Sequence, residues 1–275
     1  MSPASDSGQH LVETRLRVLT WNLWWRFGPW EERWHAIATT VQALDPDVIA
    51  LQEVWDDGER NQAALLAESL GDRDHVYAST VEHGGVRFGN AVVSRWPITG
   101  SDWRPLPAPD DLDESRTVLR ADVDGPHGPI QVFCTHLNWR FEQSHVRQEQ
   151  VRALARFVQE APERRFPPIL CGDLNATSDS DEVRMLTGRT AVPEPGLVFY
   201  DAWEVAGSGP ADTWSTDNPH TAPDVALDRR IDYVFAGWPG ERGAGLPTAC
   251  LVEGMRPVDG VVASDHYAVL AELRY

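Results

Sequence analysis

Short apolar runs of strand length recur along the whole chain, and this limits the possible folds more than any other sequence feature. RLRVLTW (residues 15–21), DVIALQE (47–53), DHVYAST (74–80), FGNAVVS (88–94), TVLRADV (117–123) and IQVFCTH (130–136) fill the first half. PPILCGD (167–173), RIDYVFA (230–236), ACLVEG (249–254) and HYAVLAELRY (266–275) follow. Apolar strands need cover on both faces, which two packed sheets with helices outside supply. Between the strands, Trp34, Ile37, Val41 and Leu44 recur at helical spacing, and Asp45-Pro46 ends that segment. A second helix is expected over about residues 59–70, with Ala63, Leu66 and Leu70 on one face. A third is expected over 143–160, with Val151, Leu154 and Val158 inward. The expectation is an α/β or α+β fold, a layered arrangement of sheets and helices.

No polar tract divides the 275 residues, so one domain over 15–275 is expected, preceded by a flexible segment at 1–14. No apolar run reaches the roughly 20 residues that span a bilayer. The opening MSPASDSGQH lacks the basic start and apolar segment of an export signal. Three widely spaced cysteines do not form a disulfide framework. Cys134 and Cys171 lie in apolar strand contexts and read as buried thiols. A reducing cytoplasmic location fits. The formal charge of -18 opposes broad binding to nucleic acid or anionic membrane. It leaves room for a nuclease, because a bound divalent cation reverses the field locally. The acidic run DDLDES at 110–115 reads as a charged loop.

Polar residues fall repeatedly at the ends of the apolar runs. Asn22 follows the first, Glu53 closes the second, and His136 and Asn138 end another. Asp173 and Asn175 in GDLN share a side by strand alternation, Asp232 in RIDYVF falls inside or at the start of a strand, and Asp265 and His266 precede the last strand. Singly, each has a plain structural reading: Asn22 as a turn cap, Glu53 as a helix-start carboxylate, His136 as a hydrogen-bonded core histidine. Together they suggest a site on strand-end loops. Carboxylates, amides and histidines without a cysteine cluster suit Mg2+ or Mn2+ and a phosphate ester. His-Glu-x-x-His and Gly-x-Ser-x-Gly are both absent, which removes the zinc-protease and serine-hydrolase patterns.

These motifs, TWN, LQE, THLN, GDLN, RIDYVF and SDH in this order, resemble those of the endonuclease/exonuclease/phosphatase superfamily, the DNase I-like metallophosphoesterases. The resemblance implies a four-layered α/β/β/α sandwich with the site at one edge of the two sheets. It implies that Glu53, with Asn22 and Asp265, holds Mg2+ or Mn2+. It assigns Asp173 to the attacking water, with Asn175 in support, and His136 and His266 to the scissile phosphate. Either histidine is a candidate base. Asp232 would orient His266 by accepting its ring proton; pairing with Arg229 or Arg230 is the rival reading. Asn90, in FGNAVVSR, also matches a family position near the site.

For substrate contacts the sequence offers Trp24, Arg26 and Asn138 beside Asn90, with Arg140 as a further phosphate contact. Trp24, Trp25 and Phe27 would either wall the pocket or pack on the sheet edge, Trp34 belongs to the core, and Trp214 fits either place. Ala176-Thr177 after GDLN departs from the Tyr-Arg of the inositol-phosphatase branch. A metal-dependent phosphodiesterase or nuclease is the leading expectation, with a phosphoester and nucleic acid as candidate partners. A phosphomonoesterase, a sphingomyelinase-like headgroup hydrolase and a non-catalytic phosphate-binding module are the alternatives. No protein partner is inferable.

Overall fold

The computed structural model describes residues 14–109, 114–221 and 227–275. The expected N-terminal segment, apart from Thr14, and residues 110–113 of the acidic run lie outside the described residues. One six-stranded sheet has the order β11-β12-β1-β2-β4-β3, and a second has the order β5-β6-β7-β8-β10-β9. The first contains β1 (Arg15–Asn22), β2 (Val48–Asp56), β3 (Asp74–His83), β4 (Val86–Ser94), β11 (Pro247–Glu253) and β12 (Ala268–Arg274). The second contains β5 (Ile98–Leu106), β6 (Arg116–Gly125), β7 (Gly128–His136), β8 (Ile169–Asp173), β9 (Phe199–Asp201) and β10 (Asp232–Gly237).

Both faces of the central strands are buried, which is why their sequences show little polar alternation. Leu16 and Val18 face Val132, Ile169 and Val234 in the core between the sheets. Leu19 and Trp21, on the opposite face of β1, pack under α1 (Trp30–Leu44) and α2 (Gln62–Ser69). On the outer face of the second sheet, Phe133, Leu170 and Phe235 pack under α3 (Ser144–Glu160) and α4 (Asp181–Leu186). The result is the four-layered α/β/β/α sandwich. α5 (Ala202–Ala206) is a short helix after β9.

The expected helices form close to their anticipated bounds. The Asn61 side chain caps α2 by accepting from the N–H groups of Ala63 and Ala64. β5 was invisible to apolar patterning because it is an edge strand, mostly exposed or half-buried, with a proline near its end. Arg33, which the apolar pattern of α1 passes over, is fully buried one turn before Ile37.

Candidate active site

The registers of β7, β8 and β10 line up three functional side chains. His136 pairs with Asp173 across the parallel β7–β8 ladder, and Asp232 pairs with Asp173 across the antiparallel β8–β10 ladder. This close approach depends on Gly172. Its φ is +151°, and a Cβ there would lie 2.0 Å from the Thr135 carbonyl oxygen.

The opposite sheet contributes Asn22 from the end of β1 and Glu53 from β2. The β2–β4 register shifts between Leu51 and Val54, and Glu53 sits in this bulge at φ +55°. A bulge re-aims a side chain that regular alternation would send elsewhere. Asp265 and His266 lie on the loop before β12. That loop is held by the Trp21 indole N–H on the His266 carbonyl (2.9 Å) and by the Ser264 hydroxyl on the Asn22 carbonyl (2.7 Å). The Asn218 amide adds bonds to the Ser264 and Asp265 carbonyls, at 2.9 and 3.0 Å.

The polar groups converge. Asn22 Nδ2 donates to Glu53 Oε1 and to Asp173 Oδ2, both at 3.1 Å, while its oxygen accepts from the Trp24 N–H at 3.0 Å. As oriented, Asn22 therefore bridges two carboxylates through its nitrogen. Asn175 donates its backbone N–H to Asp173 Oδ1 (2.8 Å) and its side-chain nitrogen to His136 Nε2 (3.1 Å). Asp173 Oδ2 lies 3.4 Å from His136 Nε2 and 3.7 Å from His266 Nε2. His266 Nδ1 donates to Asp232 Oδ2 at 2.9 Å, whereas Arg230 bonds Asp201 and Arg229 bonds the Asn175 carbonyl.

Burial sets the charge states. It pushes the Asp173 carboxyl up to about 7, helped by Asp232 and opposed by His266. Burial, with Glu53 nearby, does the same for Asp265, also to about 7, and raises Glu53. His136 is driven well below its ordinary value by burial, Arg116 and His266, so it is neutral. For His266 burial acts downward, but Asp232, Asp173 and Asp265 outweigh it and hold the ring well above the ordinary value. One imidazole is neutral and its neighbour cationic, a split that separates acid from base roles.

The donor set suits a divalent cation. Glu53 Oε2 is buried without a hydrogen-bond partner, as is Asp232 Oδ1. Several carboxylates crowd one water-poor spot, and uncompensated buried oxygens of this kind are costly unless a cation meets them. Among the described residues, Asp173, Asp232 and His266 place ligand-capable atoms within 4.8 Å of one another.

Glu53, His136, Asp173, Asn175, Asp265 and His266 floor a cleft of about 490 Å³. Trp24, Phe27, Trp214 and His220 line it, with Trp139 and Phe141 at the mouth and Arg116 and Arg229 among its walls. Three residues expected at the substrate do not line it. Asn90 is buried and donates to the Thr117 carbonyl and hydroxyl (3.1 and 3.3 Å), tying β4 to β6. Asn138 is also buried, bonded to Glu114, Gln143 and Gln150. Arg26 pairs with Asp57 and lies over the rings of Trp30 and Trp55, so its charge is spent away from the cleft. Arg140 is exposed and lies over Trp139. The sequence reading had no signal for Arg116 or His220 as cleft residues, since neither follows an apolar run at strand spacing. Arg33 was missed too: its guanidinium donates to the carbonyls of Leu23, Trp24, Trp25, Phe27 and Ala263. It thus shapes the loop that carries Trp24 and Phe27.

Buried carboxylates facing a neutral and a cationic histidine, at the edge of a double β-sheet, are groups suited to phosphoester hydrolysis. The family model for the Endonuclease/Exonuclease/phosphatase family matches residues 19–266, and the chain belongs to that family. It is 24% identical to the inositol phosphosphingolipids phospholipase C of Schizosaccharomyces pombe, over 92% of this chain and 67% of that protein. An endonuclease/exonuclease/phosphatase structure from Beutenbergia cavernae superposes with a TM-score of 0.72 at 27% identity, covering 94% of this chain and 71% of the other. TDP2 of D. rerio, complexed with a single-strand DNA product, shares the fold at TM-score 0.74 and 21% identity, covering 96% and 100%.

Proposed function

We propose that the protein is a Mg2+- or Mn2+-dependent phosphodiesterase that activates water for in-line attack on phosphorus. The observation that carries this reading is the meeting of Asp173 Oδ2 with the two imidazoles, at 3.4 and 3.7 Å, beside the partnerless oxygen of Glu53. Glu53 and Asp265 would hold the cation, with Asn22 bridging Glu53 to Asp173. The Asp232 and His266 atoms closest together are already bonded to each other, which favours an orienting role for that pair over a ligand role. When bound, the cation supplies positive charge to the phosphate oxygens.

The chain's own residues do the rest. Asp173, raised by burial to about 7, takes the proton of the attacking water near working pH. Asn175 fixes that carboxylate through its backbone N–H. His266, kept cationic and oriented by Asp232, donates from Nε2 to a phosphoryl oxygen as charge builds there. His136, neutral and held by Asn175, makes a second phosphate contact. Trp24 forms an apolar wall for the ester group.

A lipid-headgroup diester is a second reading, favoured by the aromatic mouth and by the activity named for the fission-yeast relative. Hydrolysis of bis(p-nitrophenyl) phosphate, p-nitrophenyl phosphate, plasmid DNA, RNA and a choline-headgroup lipid, with Mg2+, Mn2+, Ca2+ or chelator, separates these readings. Asp173→Asn is expected to lower kcat on the soluble diester by at least roughly 10²-fold. Near-normal turnover by that variant removes Asp173 from the proton-accepting role. No hydrolysis across the panel despite bound metal would leave a phosphate-binding module.

A further inference from the structure

Three large aromatic side chains stand exposed around the mouth of the cleft: Phe27 at 47%, Trp139 at 57% and Phe141 at 58%. Trp103, Trp238 and Leu251 are also exposed, but none of them lines the cleft. Scattered exposed apolar residues need no explanation, whereas a cluster ringing a polar site does.

The rim is built rigidly. Phe27 lies on the loop whose carbonyls are bound by buried Arg33. Trp139 and Phe141 lie on the loop after β7, where buried Arg147 donates to the carbonyls of Asn138 (3.1 Å) and Arg140 (2.7 Å). Glu182 fixes Arg147 from the other side at 2.7 Å. Two interior guanidiniums therefore hold two loops so that the rings face outward, not into the core. Each ring of the second loop also carries a guanidinium: Arg140 over Trp139 at 5.4 Å and Arg229 over Phe141 at 4.6 Å. No salt bridge to a carboxylate forms at either arginine among the described residues.

We propose that this rim seats the protein on a zwitterionic lipid–water interface, so that the diester drawn into the cleft is a phospholipid headgroup. The inference rests on the phosphodiesterase reading above and narrows its substrate class. Aromatic rings at headgroup depth, beside arginines able to reach lipid phosphates, suit such an interface. Rings and arginines also suit single-stranded nucleic acid. The choice falls on lipid because the chain carries a formal charge of -18, with all 24 of its basic residues arginine. A polyanion meets that field unfavourably, while a zwitterionic surface carries no net charge to repel.

Flotation with phosphatidylcholine/sphingomyelin vesicles in chelator reads binding without turnover. The wild type is expected to float, and Trp139→Ala/Phe141→Ala to float at least about tenfold less, since interfacial binding scales with buried apolar area. Trp238→Ala, away from the cleft, should float as the wild type does. In Mg2+, the ratio of vesicle-lipid to soluble-diester turnover should fall at least about tenfold in the double variant. Phe27→Ala, on the other loop, should lower flotation independently. A wild type that stays with the soluble fraction overturns the inference, as does equal loss in Trp238→Ala. So does a double variant that loses oligonucleotide binding while floating normally. Soluble-diester hydrolysis tests the phosphodiesterase reading separately, without vesicles.

Discussion

Asp265 shows what a single buried carboxyl costs this protein and what it is for. In the folded chain its pKa stands at about 7, whereas an unfolded aspartate ionises near about 3.9. Between those values the folded state keeps a proton that the unfolded state has released. Metal-free stability therefore falls as pH rises from about 4 to about 7. Asp265→Asn removes that penalty. Urea titrations without metal should find the variant more stable than wild type at pH 8, by on the order of 3 kcal/mol, and equal to it near pH 4. Equal stability at pH 8 would mean that Asp265 is not under the strain described. The residue type and its place before the last strand were legible in the sequence. The strain was not, because it arises first from the loss of water on folding and then from Glu53, distant in the chain.

At the scale of elements, the site depends on two local departures from regular structure and one buried cation. The Glu53 bulge and the glycine at 172 bring two sheets and two strands to the required spacing. Gly172→Ala places a methyl group against the Thr135 carbonyl and must spread β7 from β8. We expect a loss of at least about 2 kcal/mol, together with reduced turnover on the soluble diester. A fully active, equally stable Gly172→Ala protein would show that the ladder yields at no cost. Arg33→Met leaves five loop carbonyls without their donor and should cost roughly 3–5 kcal/mol by chemical denaturation. Arg33→Lys keeps the charge with fewer donors and should fall between. Helix periodicity marked Trp34, Ile37, Val41 and Leu44 as the inner face of α1, correctly for Ile37 and Val41 and with Trp34 and Leu44 half-buried. Arg33 stands four residues before Ile37, on that same face, but an apolar pattern passes over a charged residue and cannot see the backbone carbonyls that bury it.

For the whole molecule, the formal charge of -18 repels itself across a compact surface. Raising NaCl from about 10 to about 150 mM shortens the Debye length from about 30 to about 8 Å. The melting temperature of the metal-free protein should rise over that range, and a flat or falling response would mean that local ion pairs already compensate the charge. The sequence by itself determined the layered architecture, the number of long helices and which residue types stand at the strand ends, because strand and helix periods and the residues at strand ends are local properties. Only the tertiary structure decided which of those residues meet. It brought Asp173, Asp232, His136 and His266 into contact, turned Asn90, Asn138 and Arg26 away, and set two aromatic loops on buried arginines. The physical reason is that contact depends on register, bulges and burial between segments far apart in the chain, and no run of neighbouring residues encodes these alone.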